Sequence, residues 1–157
     1  MTTQCFVRSG RAVSLIDREI VATRLSKLRE ALRHLVEIRS KPRQEYLASE
    51  TDRALSEHYL RLALEAMLDI GSHLIAARGY RKPLQLREIP LVLAENGIIE
   101  NDLARRLAEA TGLRNRLVHG YTDIDYAMLF DALEKDLSDI GIFAVAVGQT
   151  VDEDQSE

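Results

Sequence analysis

The sequence predicts an all-α fold, a four- to five-helix up-and-down bundle, on three observations. Apolar residues recur at three- and four-residue steps through long segments. The breaks between those segments are short and carry Pro, Gly or Asn-Gly. No alternating apolar–polar series of the strand type and no internal repeat is found.

The first long segment places Ile16, Ile20, Leu25, Leu28, Leu32, Leu35 and Ile38 on one helical face. Ser40-Lys41-Pro42 interrupts it, because proline disfavours helix at the residue before it. Thr51-Asp52 reads as the next start, and the pattern runs from Arg53 to about Ala77, where Gly79 and then Pro83 stop it. In this central helix Leu60, Ala63, Leu64, Met67, Leu68, Ile70, Gly71, Leu74 and Ile75 cover more than half the circumference, as expected of a helix buried among neighbours. Opposite them runs a narrow polar line of His58, Glu65, Asp69 and His73. It reads either as a solvated face or as a polar cleft or dimer groove, in which Glu65 or Asp69 pairs with an arginine. A short helix follows around Leu86–Asn96, with Pro90 arguing for a break or a late start. Asn96-Gly97 turns the chain, Glu100–Val118 is the next helix and Asp125–Phe143 the last.

At 157 residues the chain is expected to form one helical domain over 1–145, followed by a flexible acidic tail over 146–157. The formal charge of −4 conceals an asymmetry. Residues 1–43 carry ten Lys and Arg against four acids, whereas residues 123–157 carry one Lys against ten. A net acidic chain is a poor general binder of nucleic acid, but a local basic surface still holds phosphates. Aromatics are only 5% and Trp is absent, which argues against a base-stacking platform. The single cysteine, Cys5, excludes an internal disulfide and a multi-cysteine metal site. The histidines at 34, 58, 73 and 119 form no His-x-x-x-His pair, so no metal site is expected. No apolar run approaches the ~20 residues of a membrane span. MTTQCFVRSGR lacks the apolar core of a signal peptide, so a cytoplasmic location is expected.

The segment RNRLVHGY, Arg114 to Tyr121, carries the chemistry. On a helix, Arg114 and Tyr121 fall within the stripe of Leu103, Leu107, Ala110, Leu117 and Val118. An unpaired guanidinium there is expensive, so the inward face must open to a polar cleft or contain a carboxylate partner. His119 shares the face of Asn115 but lies roughly 140° from Arg114 on an ideal helix. Bringing Arg114 and His119 together therefore requires a distorted helix end near Gly120, a bent Arg114, or two subunits combining their motifs across a two-fold axis. The set suits phosphoryl transfer on RNA without a metal. His119 carries a proton to or from a ribose 2′-hydroxyl or the leaving 5′-oxygen. Arg114 clamps the phosphate, and Asn115 orients the histidine or binds substrate. Each residue also has a plain structural reading, Tyr121 as a core residue with a wet hydroxyl and the Arg–His pair as packing.

The pattern Arg-x4-His-x-Tyr, here Arg114, His119 and Tyr121, resembles the signature of HepT-like toxins of the HEPN superfamily. HYLRLALEAMLDIGSHLIAARGYRKP, followed by ENGIIENDLARRLAEATGLRNRLVHGYTDID, resembles that family's central and motif helices in order, over about residues 45–145. The resemblance implies a HEPN-like bundle that dimerises so that two Arg–His motifs line one cleft. It implies the toxin component of a type VII-like toxin–antitoxin system, a metal-independent endoribonuclease using Arg114 and His119, with Asn115 in support. It also implies a partner, an MNT-type nucleotidyltransferase antitoxin that transfers AMP from ATP onto Tyr121, in a complex as large as a hetero-oligomer. ATP and Mg²⁺ belong to that partner, and this chain needs no cofactor of its own. AMP at Tyr121 would place bulk and negative charge at the mouth of the RNA cleft. The basic segment before residue 15 falls outside the resemblance, and Gly120 is expected to loosen the helix end. The alternative is a noncatalytic helical subunit that binds a nucleotide and regulates a partner nucleotidyltransferase.

Overall fold

A computed structural model describes residues 16–119 and 124–156, the side chains of Val118 and His119 excepted. Six helices follow in order: α1 (Arg18–Arg39), α2 (Arg43–Ala48), α3 (Glu50–Arg78), α4 (Glu88–Glu95), α5 (Asn101–His119) and α6 (Tyr126–Asp154). No strand occurs among the described residues. The fold is the expected all-α bundle, made of four long helices and two short ones.

Local chemistry sets the boundaries. The Asp17 carboxylate accepts from the N–H groups of Glu19 and Ile20 at the start of α1. Ser49 caps α3 by accepting from the Asp52 N–H at 3.1 Å, and Asp125 caps α6 by accepting from Met128 at 3.1 Å. Gly79 ends α3 in the left-handed region at φ 65°, and the Tyr80 N–H returns to the Ile75 carbonyl at 3.0 Å. Pro90 does not break α4, which starts later than Leu86, at Glu88. The proline is the helix's third residue, in the first turn, where its missing N–H leaves no intrahelical bond unmade. The short α2 between Pro42 and Ser49 was not expected from periodicity. Its one buried side chain is Tyr46, against Phe130 with its hydroxyl 2.8 Å from Ser56 Oγ, and Arg43 adds a pair with Asp131 of α6 at 3.1 Å.

Helix α3 lies at the centre and packs on the other five. All nine residues of its expected apolar face are buried. On α1 the core stripe is Val21, Leu25, Leu28, Ala31, Leu35 and Ile38, while Ile20 is exposed. At Gly71 an added Cβ would stand 2.5 Å from Ile89 Cγ2, so glycine here permits the close approach of α4 to α3.

The acidic segment after residue 145 is not a free tail. Helix α6 continues to Asp154, because Ile140, Phe143, Ala144, Val147 and Val151 extend one apolar stripe into the core. Its acids meet the basic residues of the earlier helices, Asp152 pairing with Arg18 at 3.1 Å and Asp154 with Arg78 at 2.8 Å. Charge density suggested fraying, but burial of the stripe prevails. Among the described residues no helix is long and apolar enough to cross a membrane.

Candidate functional site

Helix α5 is anchored before it reaches the motif. Leu103, Ala104, Leu107 and Ala110 are buried, and Arg106 Nε binds both oxygens of the buried Asp139 on α6 at 3.1 and 2.9 Å. Two turns later Arg114 enters the interface with α3, its side chain 21% exposed. The carboxylate partner that its inward position demands is Glu65, whose Oε1 lies 3.4 Å from Nη2. Nη1 donates to Asn115 Oδ1 at 3.3 Å, and Nε is buried without a hydrogen-bond partner among the described residues. Glu65 is shared, since Arg61 Nη1 approaches the same oxygen at 3.6 Å.

His119 is the last residue of α5, five positions beyond Arg114. Its side chain, and Tyr121 entirely, lie outside the described residues. The convergence of Arg114 with His119 and the placement of Tyr121 therefore stay expectations. Asn115, expected to orient the histidine or bind substrate, accepts from Arg114 here.

The chain resumes close by. At the start of α6, the Tyr126 hydroxyl donates to Glu57, two turns before Glu65 on α3. The Arg53 guanidinium stands 5.2 Å from the centre of the Tyr126 ring. The hydrogen bond to Glu57, with burial and the glutamate's charge, pushes the Tyr126 hydroxyl up to about 12. Arg114 thus meets α3 at Glu65 and Tyr126 meets it at Glu57, so one edge of α3, Glu57–Arg61–Glu65, borders the motif region. Sequence reasoning found Glu65 but missed Glu57, Arg61 and Tyr126. The four-residue step from Arg61 to Glu65 was the available signal.

The polar line on α3 divides between two neighbours. Asp69 pairs with Arg24 of α1 at 2.7 Å, and His73 Nε2 accepts from the Asp17 N–H at 3.0 Å. Glu65 meets Arg114 of α5 while also bordering the α1 side. Between α1 and α3 lies a groove of about 390 Å³ lined by Arg24, Lys27, Tyr59, Glu65 and Asp69 among others. Glu65 and Asp69 of the line thus border a polar groove, while His58 is exposed. Tyr59 is stacked on His34 with ring centres 4.2 Å apart. Among the described residues no group of three His, Cys, Asp or Glu side chains gathers to hold a metal ion.

Fold and site define an all-α bundle in which the arginine of an Arg-x4-His spacing is held near a helix end against a carboxylate. Residues 28–147 match the family described as Ribonuclease HepT-like, and the chain belongs to that family. It is 33% identical over 118 residues to the tRNA nuclease HepT of Aphanizomenon flos-aquae, across 75% of this chain and 80% of that protein. It is 29% identical over 84 residues to the mRNA nuclease HepT of Shewanella oneidensis, across 54% of this chain and 63% of that one. In fold it is similar to the tri-AMPylated HEPN toxin of Shewanella oneidensis, solved in complex with an MNT antitoxin. That similarity has a TM-score of 0.77 at 20% identity and covers 83% of this chain and 98% of the other. The cytosolic protein YutE of Bacillus subtilis shares the fold at a TM-score of 0.78 and 18% identity, over 89% and 94% of the two chains.

Proposed function

We propose that this protein is the toxin of a toxin–antitoxin pair and cleaves RNA by a metal-independent route. The observation that carries this is Arg114, half-buried and loosely held against Glu65, five residues before His119, in a chain of a ribonuclease family. A guanidinium in that state is available to a phosphate in a way that a tightly paired one is not. In the reaction a ribose 2′-hydroxyl attacks the adjacent phosphorus while its proton passes to a base. The bond to the 5′-oxygen breaks, that oxygen takes a proton, and a 2′,3′-cyclic phosphate end remains. His119 serves the proton transfers, Arg114 stabilises charge on the phosphoryl oxygens, and Asn115 supports Arg114. The route takes its nucleophile from the substrate. Two copies of the chain supply both motifs to one cleft.

The test is cleavage by purified protein in EDTA. RNA is cut, its 2′-deoxy counterpart is not, and His119→Ala abolishes cutting with the fold intact. Persistent cleavage by His119→Ala would overturn the assignment.

Neutralisation follows from the same cleft. The Tyr121 oxygen attacks the α-phosphorus of ATP held by an MNT-type nucleotidyltransferase antitoxin, pyrophosphate leaves, and AMP stays on the tyrosine. Support comes from the fold shared with an AMPylated HEPN toxin in complex with its MNT antitoxin. Incubation with the partner and ATP then adds mass in AMP-sized steps. A Tyr121→Phe protein that gains the same mass shows the wrong tyrosine was chosen.

A further inference from the structure

Glu65 and the arginines beside it form an arrangement that packing does not require. Its Oε1 lies between two guanidinium groups, 3.4 Å from Arg114 and 3.6 Å from Arg61. Charge-assisted bonds to carboxylates ordinarily close to about 2.7–2.9 Å. Elsewhere among the described residues they reach 2.7 Å for Arg24–Asp69 and 2.8 Å for Arg78–Asp154, and most others stand at 2.9–3.1 Å. Only Arg81–Glu88 is as long, at 3.7 Å, and its arginine is gripped by Glu95 at 2.9 Å. Two cations therefore converge on one oxygen and neither grips it. All three side chains keep some exposure, 21% for Arg114, 32% for Glu65 and 37% for Arg61, so an anion from solvent can reach them.

The geometry points to a two-guanidinium phosphodiester site, Arg61 with Arg114, in which Glu65 occupies the place of the phosphate until RNA arrives. This rests on reading Arg114 as a phosphate-binding residue and adds two residues to that reading. A phosphodiester offers two non-bridging oxygens, sharing one negative charge, to two planar forks, whereas here both forks face a single carboxylate oxygen. Glu65 has somewhere to go when displaced. It also lines the groove between α1 and α3, where Lys27 supplies positive charge beside Arg24, itself paired with Asp69. Glu65 is then a built-in competitor, lowering affinity for weak anions while leaving Arg114 free for an RNA strand that binds through several phosphates at once.

The experiment measures binding of a 2′-O-methyl RNA oligonucleotide, which cannot supply the nucleophile, by fluorescence anisotropy across a salt series. Glu65→Gln keeps the shape and an acceptor but removes the competing charge, and tightens binding roughly three- to tenfold. Arg61→Ala weakens binding about fivefold or more and lowers the salt slope by about one. Arg61→Lys, which keeps charge but loses the fork, falls between, and it carries the test if Arg61→Ala fails to fold. Unchanged or weaker binding by Glu65→Gln, no effect of Arg61 replacement, or no binding by either wild type or Glu65→Gln overturns the proposal. RNA left uncut by wild type while these shifts appear removes the nuclease reading and leaves the phosphodiester site standing. Cutting intact with binding unmoved removes the site alone.

Discussion

Two arginines of α5, eight residues apart, are held in opposite ways. Arg106 contacts both oxygens of Asp139, itself 5% exposed, at 3.1 and 2.9 Å, and the hydrogen bond raises its pKa above the ordinary guanidinium value. Arg114 faces a shared glutamate at 3.4 Å and leaves its buried Nε without a partner among the described residues. The first joins α5 to α6, and the second is positioned by the bundle but not consumed by it. One helix thus separates a half that stabilises from a half whose arginine we propose to meet phosphate.

The largest expected effect breaks the comparison most directly. Arg114→Ala should lower the rate of RNA cleavage about 10²- to 10³-fold, the scale for losing one charge-stabilising donor. Its melting temperature should stay close to wild type, because the lost contacts are long. A melting temperature that falls in step with activity would make Arg114 a structural residue. Arg106→Ala should do the reverse, lowering the melting temperature clearly by stranding a buried carboxylate, with cleavage per folded molecule unchanged. Thermal melts alongside single-turnover rates decide between the two outcomes.

The stabilising half also has a cost that pH can expose. Asp136 sits on the apolar stripe of α6, between Leu133 and Ile140. Burial, reinforced by Asp139 and by Glu109, pushes its carboxyl up to about 6. Between the ordinary carboxylate value near 4 and this value near 6, the folded state binds more protons than the unfolded one. Stability is therefore greater at the acid end of that window and is lost as pH rises through it. The loss is about 2 kcal/mol once solvent screening at a partly buried position is allowed for. Denaturant titrations at pH 4.5 and 7.5 should show Asp136→Asn more stable than wild type at the higher pH and flatter between the two.

The smallest effect concerns the edge of α3 beside the motif. Tyr126, with its hydroxyl held by Glu57, loses its contribution to stability as pH rises from about 10 toward about 12, the window between its ordinary and raised values. Tyr126→Phe should remove that alkaline decline with little change at neutral pH. A decline that persists would assign the alkaline sensitivity to another group.

Much of this was legible from the chain. The apolar face of α3 was read residue by residue, because a central helix announces itself by the breadth of its hydrophobic arc. Arg114 was marked as needing either a polar cleft or a carboxylate partner, because a guanidinium within an apolar stripe is costly wherever it occurs. Less legible were α2, six residues with Tyr46 as the one buried side chain, and the last turns of α6, where acidic composition outweighed a stripe that continued through Val147 and Val151. Glu57, Arg61 and Tyr126 were missed because each matters only through a neighbour on another helix or on a shared edge.

Alone, the sequence determined the long helical segments and most of their boundaries, though not α2 or the end of α6, and that an arginine, an asparagine, a histidine and a tyrosine fall within eight residues. Periodicity, caps and motif spacing are local quantities, written within a few residues. Tertiary structure decided that Glu65, 49 positions earlier, meets Arg114, that Asp139 and not Glu65 takes Arg106, and that the acidic end pairs with Arg18 and Arg78. Those pairings depend on how α3, α5 and α6 cross, and the crossing is set by the shapes of all the buried faces at once.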